Sequence, residues 1–179
     1  MLIAAKERGM SLVEAMIALV IAAILMATAM PMYSTWIQNT QIRTGTEAVL
    51  NGLQLARSEA LNRNINVQFQ VAPGGGTGTD WQVTVVDSGA VIQTRSAGSG
   101  SASATATPTP ASTTTVTFNQ LGRVVSPTNN DGTVPLTAID VTSSVSGFTG
   151  ARPLRVTISS GGQIRMCDPS AASPDSRAC

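Results

Sequence analysis

The feature that most limits this chain is the run "RGMSLVEAMIALVIAAILMATAMPMY", from Arg8 to Tyr33. From Met10 to Tyr33 it holds a single formal charge, Glu14. About 20 apolar residues cross the hydrocarbon core of a bilayer as a helix, so the run predicts a membrane-spanning helix over residues 10–33. Lys6, Glu7 and Arg8 stand before it, and a basic flank stays on the cytoplasmic side while the remainder lies outside. A carboxylate inside such a segment costs about 2.5–3.5 kcal/mol on insertion scales and marks a functional group in want of a partner.

Three readings of this N-terminus compete. One is an ordinary secretory signal, with a basic start, an apolar middle and the small-residue site Ala27-Thr28-Ala29. Another is a plain membrane anchor. Neither has a use for Glu14. The third is a leader of residues 1–9 that is cut on the cytoplasmic side after Gly9. That cut would leave a free amine on Met10, which the Glu14 of a neighbouring copy neutralises inside a bundle of apolar helices.

The residues that carry this third reading resemble a known family. "RGMSLVEAMIALVIAAI" is similar to the N-terminal signal of type IV pilins and type II secretion pseudopilins. Met10 stands where the family usually has Phe, and Ser11-Leu12-Val13 where it has Thr-Leu-Ile. The resemblance implies cleavage between Gly9 and Met10 by a prepilin peptidase, N-methylation of Met10, and subunit registration through Glu14. It also implies an inner-membrane precursor with a periplasmic C-terminal domain, later packed into a pilus or pseudopilus. Pro31 falls where the family often has a helix-kinking proline, and a proline there removes one backbone hydrogen bond.

Beyond the membrane run the pattern turns amphipathic over residues 34–64. Val49, Leu53, Ala56 and Ala60 recur on one helical face, with Arg57, Glu59 and Arg63 off it. Gly45 and Gly52 weaken a helix by up to about 1 kcal/mol each relative to Ala. A helix continuous from 10 to 63 would be roughly 80 Å long.

Strands follow. "INVQFQV", "WQVTVV", "AVIQT", "TVTFNQLGRVV", "LTAIDVT" and "PLRVTIS" alternate apolar and polar residues between short turns. Such alternation predicts antiparallel sheets with one buried face, a β-rich domain over residues 65–179. The expected fold class is α+β: a pilin-like fold with one long N-terminal helix packed on antiparallel sheet. "APGGGTG" (residues 72–78) has no P-loop lysine and no following helix, so it reads as a hairpin loop. Residues 96–115 are low in complexity and hold no core residues, and they predict a mobile surface loop between strands.

"LRVTISSGGQIRMC" allows a register to be written. Apolar residues must meet across the hairpin. A three-residue loop, Ser160-Gly161-Gly162, pairs Ile158 with Ile164 and Val156 with Met166, with Gly162 in the left-handed region. Arg155, Thr157, Gln163 and Arg165 then share the solvent face.

Composition narrows function. There is no histidine, and charged residues make up 12% of the chain. The commonest general base and metal ligand is therefore missing, no catalytic constellation is visible, and neither a cofactor nor a metal is expected. Without residues 1–9 the side chains hold nine Arg and nine acids, so no global basic field draws in nucleic acid. Cys167 and Cys179 read as a disulfide of an oxidising compartment or as two free thiols. The turn-rich "DPSAASPDSRA" between them suits closure, worth roughly 3 kcal/mol in the chain-entropy model.

"ARSEALNRN", "FNQLGRVV" and "GGQIRMCDP" together resemble the FimT/GspH-like branch of minor pilins and the minor pseudopilin H of type II secretion. The resemblance implies a structural and assembly subunit at or near a filament tip, with other minor and major pilins, or pseudopilins, as partners. Some members linked to natural transformation bind DNA through Gly-Arg-x-Arg at this hairpin. Here the matching residues are Gly162, Gln163, Ile164 and Arg165, so the first arginine is missing. Arg155 beside Arg165 partly replaces its charge, since phosphate contacts need charge more than exact position. The alternatives are an ordinary solvated arginine face and no DNA.

Overall fold

The computed structural model describes residues 10–111 and 113–179. The leader residues 1–9, with Gly9, lie outside them. The chain divides into two compact units, one ending at Trp36 and the other Ile37–Cys179.

The helix α1 runs Leu12–Arg63 and begins in the first unit. Ser11 caps it: its Oγ accepts the Glu14 N–H at 3.2 Å, one of the donors a helix start leaves unpaired. α1 continues through Pro31. It ends where Asn64 takes a positive φ of 55° and the Ile65 N–H bonds back to the Ala60 carbonyl, a left-handed stop that Asn tolerates.

In the second unit the strands are β1 (Val67–Val71), β2 (Trp81–Val85), β3 (Val91–Arg95), β4 (Ala104–Thr109), β5 (Thr115–Phe118), β6 (Ala138–Ser143), β7 (Leu154–Ile158) and β8 (Ile164–Cys167). They form two four-stranded antiparallel sheets, ordered β3-β2-β1-β5 and β4-β6-β7-β8. Both contribute to one core. Val49, Leu53, Ala56 and Ala60 of α1 are buried with Phe69, Val83, Phe118, Ile139, Val141 and Val156. The predicted helix stripe and the predicted strand faces therefore meet as expected.

Three expectations need correction. Residues 96–115 are not one surface loop, because they contain β4, paired along its length with β6. Ala104 and Ala106 point into the core and are 3% and 4% exposed. Alternation was present in "ATATPT", but Ala is too small to announce a core position. The Thr109 and Ser103 carbonyls accept N–H groups flanking β6, while the Ala106 N–H turns outward to Thr77. Pro108 shares that outward register, where its missing N–H disrupts no ladder.

The strand read into "TVTFNQLGRVV" stops at Phe118. Asn119 Oδ1 accepts the N–H groups of Leu121 and Arg123, and Gly122 has φ +69°. This side chain-backbone turn folds Val124 back beside Phe118. Gly52, read as a weak point of the helix, is a fit. A Cβ there would stand 2.8 Å from the Phe69 ring and from two indole carbons of Trp81.

Candidate functional site

Two regions carry the sequence-predicted residues. The first is the start of α1. Met10 is 69% exposed, and the large apolar residues from Leu12 to Met32 are exposed as well. By length and composition the helix is able to cross a membrane. Glu14 sits in its first turn. The spacing Ser11-x-x-Glu14 is a capping-box pattern, and an acid in the first turn complements the helix dipole. This local role is legible in "SLVE", but a lone carboxylate in an apolar run points first to a distant partner. The cap explains where the helix starts; it does not supply a countercharge for that carboxylate. Pro31 lies inside α1, and its carbonyl accepts the hydroxyls of Ser34 and Thr35, each at 2.9 Å.

The second region is the last hairpin. Ile158 pairs with Ile164 and Val156 with Met166, the register that the alternation predicts. Gly162 has φ +82° and fits closely as well, since a Cβ there would fall on the Gly122 carbonyl. The same carbonyl accepts the Arg57 Nε–H at 3.1 Å, which ties hairpin tip, turn and helix together.

The two arginines of this hairpin are both engaged. Arg155 grips Asp140 with two parallel bonds, Nε to Oδ1 at 2.6 Å and Nη2 to Oδ2 at 2.8 Å. The hydrogen bond and charge of Asp140 raise the Arg155 pKa above its ordinary value. Arg165 Nη2 donates to the carbonyls of Ala178 at 2.7 Å and Ser176 at 3.3 Å. Arg165 is opposite Thr157, and Arg155 opposite Cys167, so the two are diagonal neighbours. Sequence reasoning missed Asp140 because the pairing needs β6 beside β7.

Cys167 and Cys179 form a disulfide with Cα atoms 5.1 Å apart. It returns the C-terminal segment to β8, where the Asp168 N–H bonds to the Arg177 carbonyl at 2.7 Å. Within this loop Asp175 bonds Arg177 at 2.7 Å, which holds the Asp175 carboxyl down at about 2. Among the described residues no group of three or more His, Cys, Asp or Glu comes together to hold a metal.

Comparison with known proteins gives two family matches. The family model described as Type II transport protein GspH matches residues 45–162. The model described as prokaryotic N-terminal methylation motif matches residues 4–30. Among solved structures, the fold is similar to that of the type IV minor pilin FimU of Pseudomonas aeruginosa strain PAO1, at 24% identity and a TM-score of 0.50, covering 74% of this chain and 98% of that one. A second crystal form of that pilin is 25% identical with a TM-score of 0.49, covering 75% and 93%. No curated protein sequence matches the chain.

Proposed function

This chain belongs to the GspH family of type II transport proteins, a family of minor pilins and pseudopilins, and from that premise we propose that it is a minor pilin of a type IV pilus. In this reading a prepilin peptidase cuts after Gly9 and the new Met10 amine is methylated. The helix waits in the inner membrane with the sheet domain on the periplasmic side, and the subunit then enters the filament at or near its tip. The observation that carries the reading is the methylation-motif match over residues 4–30, laid on a helix whose large apolar side chains are exposed from Leu12 to Met32. Such a surface needs lipid or neighbouring helices around it. Glu14 registers subunits by meeting the Met10 amine of a neighbour, and the sheet domain faces other minor and major pilins.

A second reading, the minor pseudopilin H of a type II secretion system, is favoured by the description of the matching family. Deleting the chain in its native cell separates the two: loss of surface pili supports the first reading, and loss of exoprotein secretion with pili intact supports the second. The shared premise is tested by mass spectrometry of the mature N-terminus from the membrane fraction. A peptide that begins with N-methylated Met10 is expected. A chain that begins at Met30, after Ala27-Thr28-Ala29, would make it a secreted soluble protein and end the filament reading.

A further inference from the structure

The chain has two Trp, one Tyr and three Phe. Phe69, Phe118 and Trp81 are core residues. Tyr33 and Trp36 stand together on α1 instead, 62% and 63% exposed, with ring centroids 6.1 Å apart and planes 28° from parallel. The first thirty-two residues hold no aromatic side chain, so the concentration lies at one end of the apolar run only.

That place has a measurable depth. From Leu12 to Met32 the helix rises about 30 Å, the thickness of a bilayer's hydrocarbon core. Within the run the hydroxyl of Thr28 is satisfied by the helix itself, donating to the Leu25 carbonyl at 2.9 Å. Ser34 and Thr35 do the same to the Pro31 carbonyl. The first charge after Glu14 is Arg43, with 71% of its side chain exposed. The rings therefore fall after the hydrocarbon-length run and before the first charge. Rings with an apolar body and a polar edge are enriched at that boundary.

We propose that Tyr33 and Trp36 form an interfacial anchor that sits in the lipid headgroup layer and fixes the depth of α1 in the bilayer. The inference rests on the reading of residues 10–33 as a membrane span. It adds a partner, the lipid headgroup region, which holds the waiting subunit at one height until it is withdrawn.

The test uses the full chain reconstituted in phosphatidylethanolamine–phosphatidylglycerol vesicles. Trp fluorescence is read with lipids brominated near the glycerol end of the acyl chain, with lipids brominated near the methyl end, and with aqueous iodide. Trp81 is buried, so the difference between the wild type and Trp36→Phe isolates Trp36. Shallow bromines are expected to quench this difference signal roughly twofold more than deep ones, as an interfacial ring requires. Stronger quenching by deep bromines would place the ring in hydrocarbon and overturn the proposal. So would quenching by iodide alone while the chain floats with the vesicles. A chain that fails to float with them would overturn the membrane span and the anchor together, and that result is recognised separately by flotation.

Discussion

Gly52 of α1 lies directly against the indole of Trp81. A methyl group at Gly52 would sit 2.8 Å from indole Cδ2 and Cε2 and 2.8 Å from Phe69 Cε2. Phe69 and Trp81 are themselves in ring contact, with centroids 6.0 Å apart, so neither yields without moving the other. Helix propensity alone predicts that Gly52→Ala stabilises by about 1 kcal/mol. Overpacking of a filled core costs about 1–3 kcal/mol, and ring atoms fixed in a core do not give way. The expected net result is a loss of stability of about 1–2 kcal/mol, read by denaturant unfolding of the full chain in detergent. A gain would show that the rings have room to shift.

The disulfide is predicted to hold more than the tail. Its loop spans a sequence separation of 12, and closing a loop of this size is worth roughly 3 kcal/mol in the chain-entropy model. Arg165 reaches carbonyls at Ser176 and Ala178, so those bonds depend on the closed loop. Replacing both cysteines by serine is expected to lower unfolding stability by about 2–3 kcal/mol and to speed amide exchange at Asp168. Stability unchanged under reducing conditions would show that closing this loop contributes no chain-entropy stabilisation.

What could be read in advance depended on how local the cause was. The Ile158–Ile164 and Val156–Met166 pairs were legible because a hairpin's register follows from alternation and one left-handed glycine within a few residues. The Val49–Ala60 stripe was legible for the same reason, through the helical period. β4 was not, because Ala104 and Ala106 bury small side chains that resemble loop composition. The Arg155–Asp140 pair needed two strands to be neighbours, which no single segment specifies. Gly52 needed the position of the Trp81 indole.

Asp175 is expected to titrate well below an ordinary aspartate. Its hydrogen bonds from Arg177 lower the carboxyl from 3.8 to about 2. A depressed folded-state value means that the favourable contact is fully present above the unfolded value and is lost as pH falls through about 2. Arg177→Gln should raise the midpoint part of the way toward the ordinary aspartate range, because the backbone N–H of residue 177 still donates to Asp175 Oδ1, as followed by the carboxyl carbon shift. A midpoint that does not move in the variant would remove the Arg177 side chain as the cause.

The hairpin arginines predict weak attraction for nucleic acid. Arg155 is neutralised by Asp140 through a two-point bond, and Arg165 spends donors on carbonyls of its own chain. Phosphate contacts draw on free positive charge and fall steeply with salt. The wild type is expected to leave duplex DNA unshifted in a gel at physiological salt, while Asp140→Asn, which frees Arg155, raises binding at low salt. Tight binding by the wild type that disappears in Arg155→Gln and Arg165→Gln would restore the DNA-receptor alternative.

The proposed reading gives Glu14 a role separable from its place in the first turn of α1. At the helix start its N–H bonds Ser11 Oγ, and its acid lies in the first turn. In the filament reading its charge meets a neighbour's Met10 amine. Glu14→Gln keeps a side chain that suits a capping box but removes the charge that an ammonium group needs in an apolar bundle. Helix content in detergent is therefore expected to be unchanged, and membrane insertion to be as good or better, because an apolar segment accepts an amide at lower cost than a carboxylate. Incorporation into sheared filaments is expected to fall sharply, as immunoblotting of the filament fraction against the membrane fraction would show. Filament incorporation at the wild-type level would reduce Glu14 to an acid in the first turn of the helix and leave the Met10 amine without its partner.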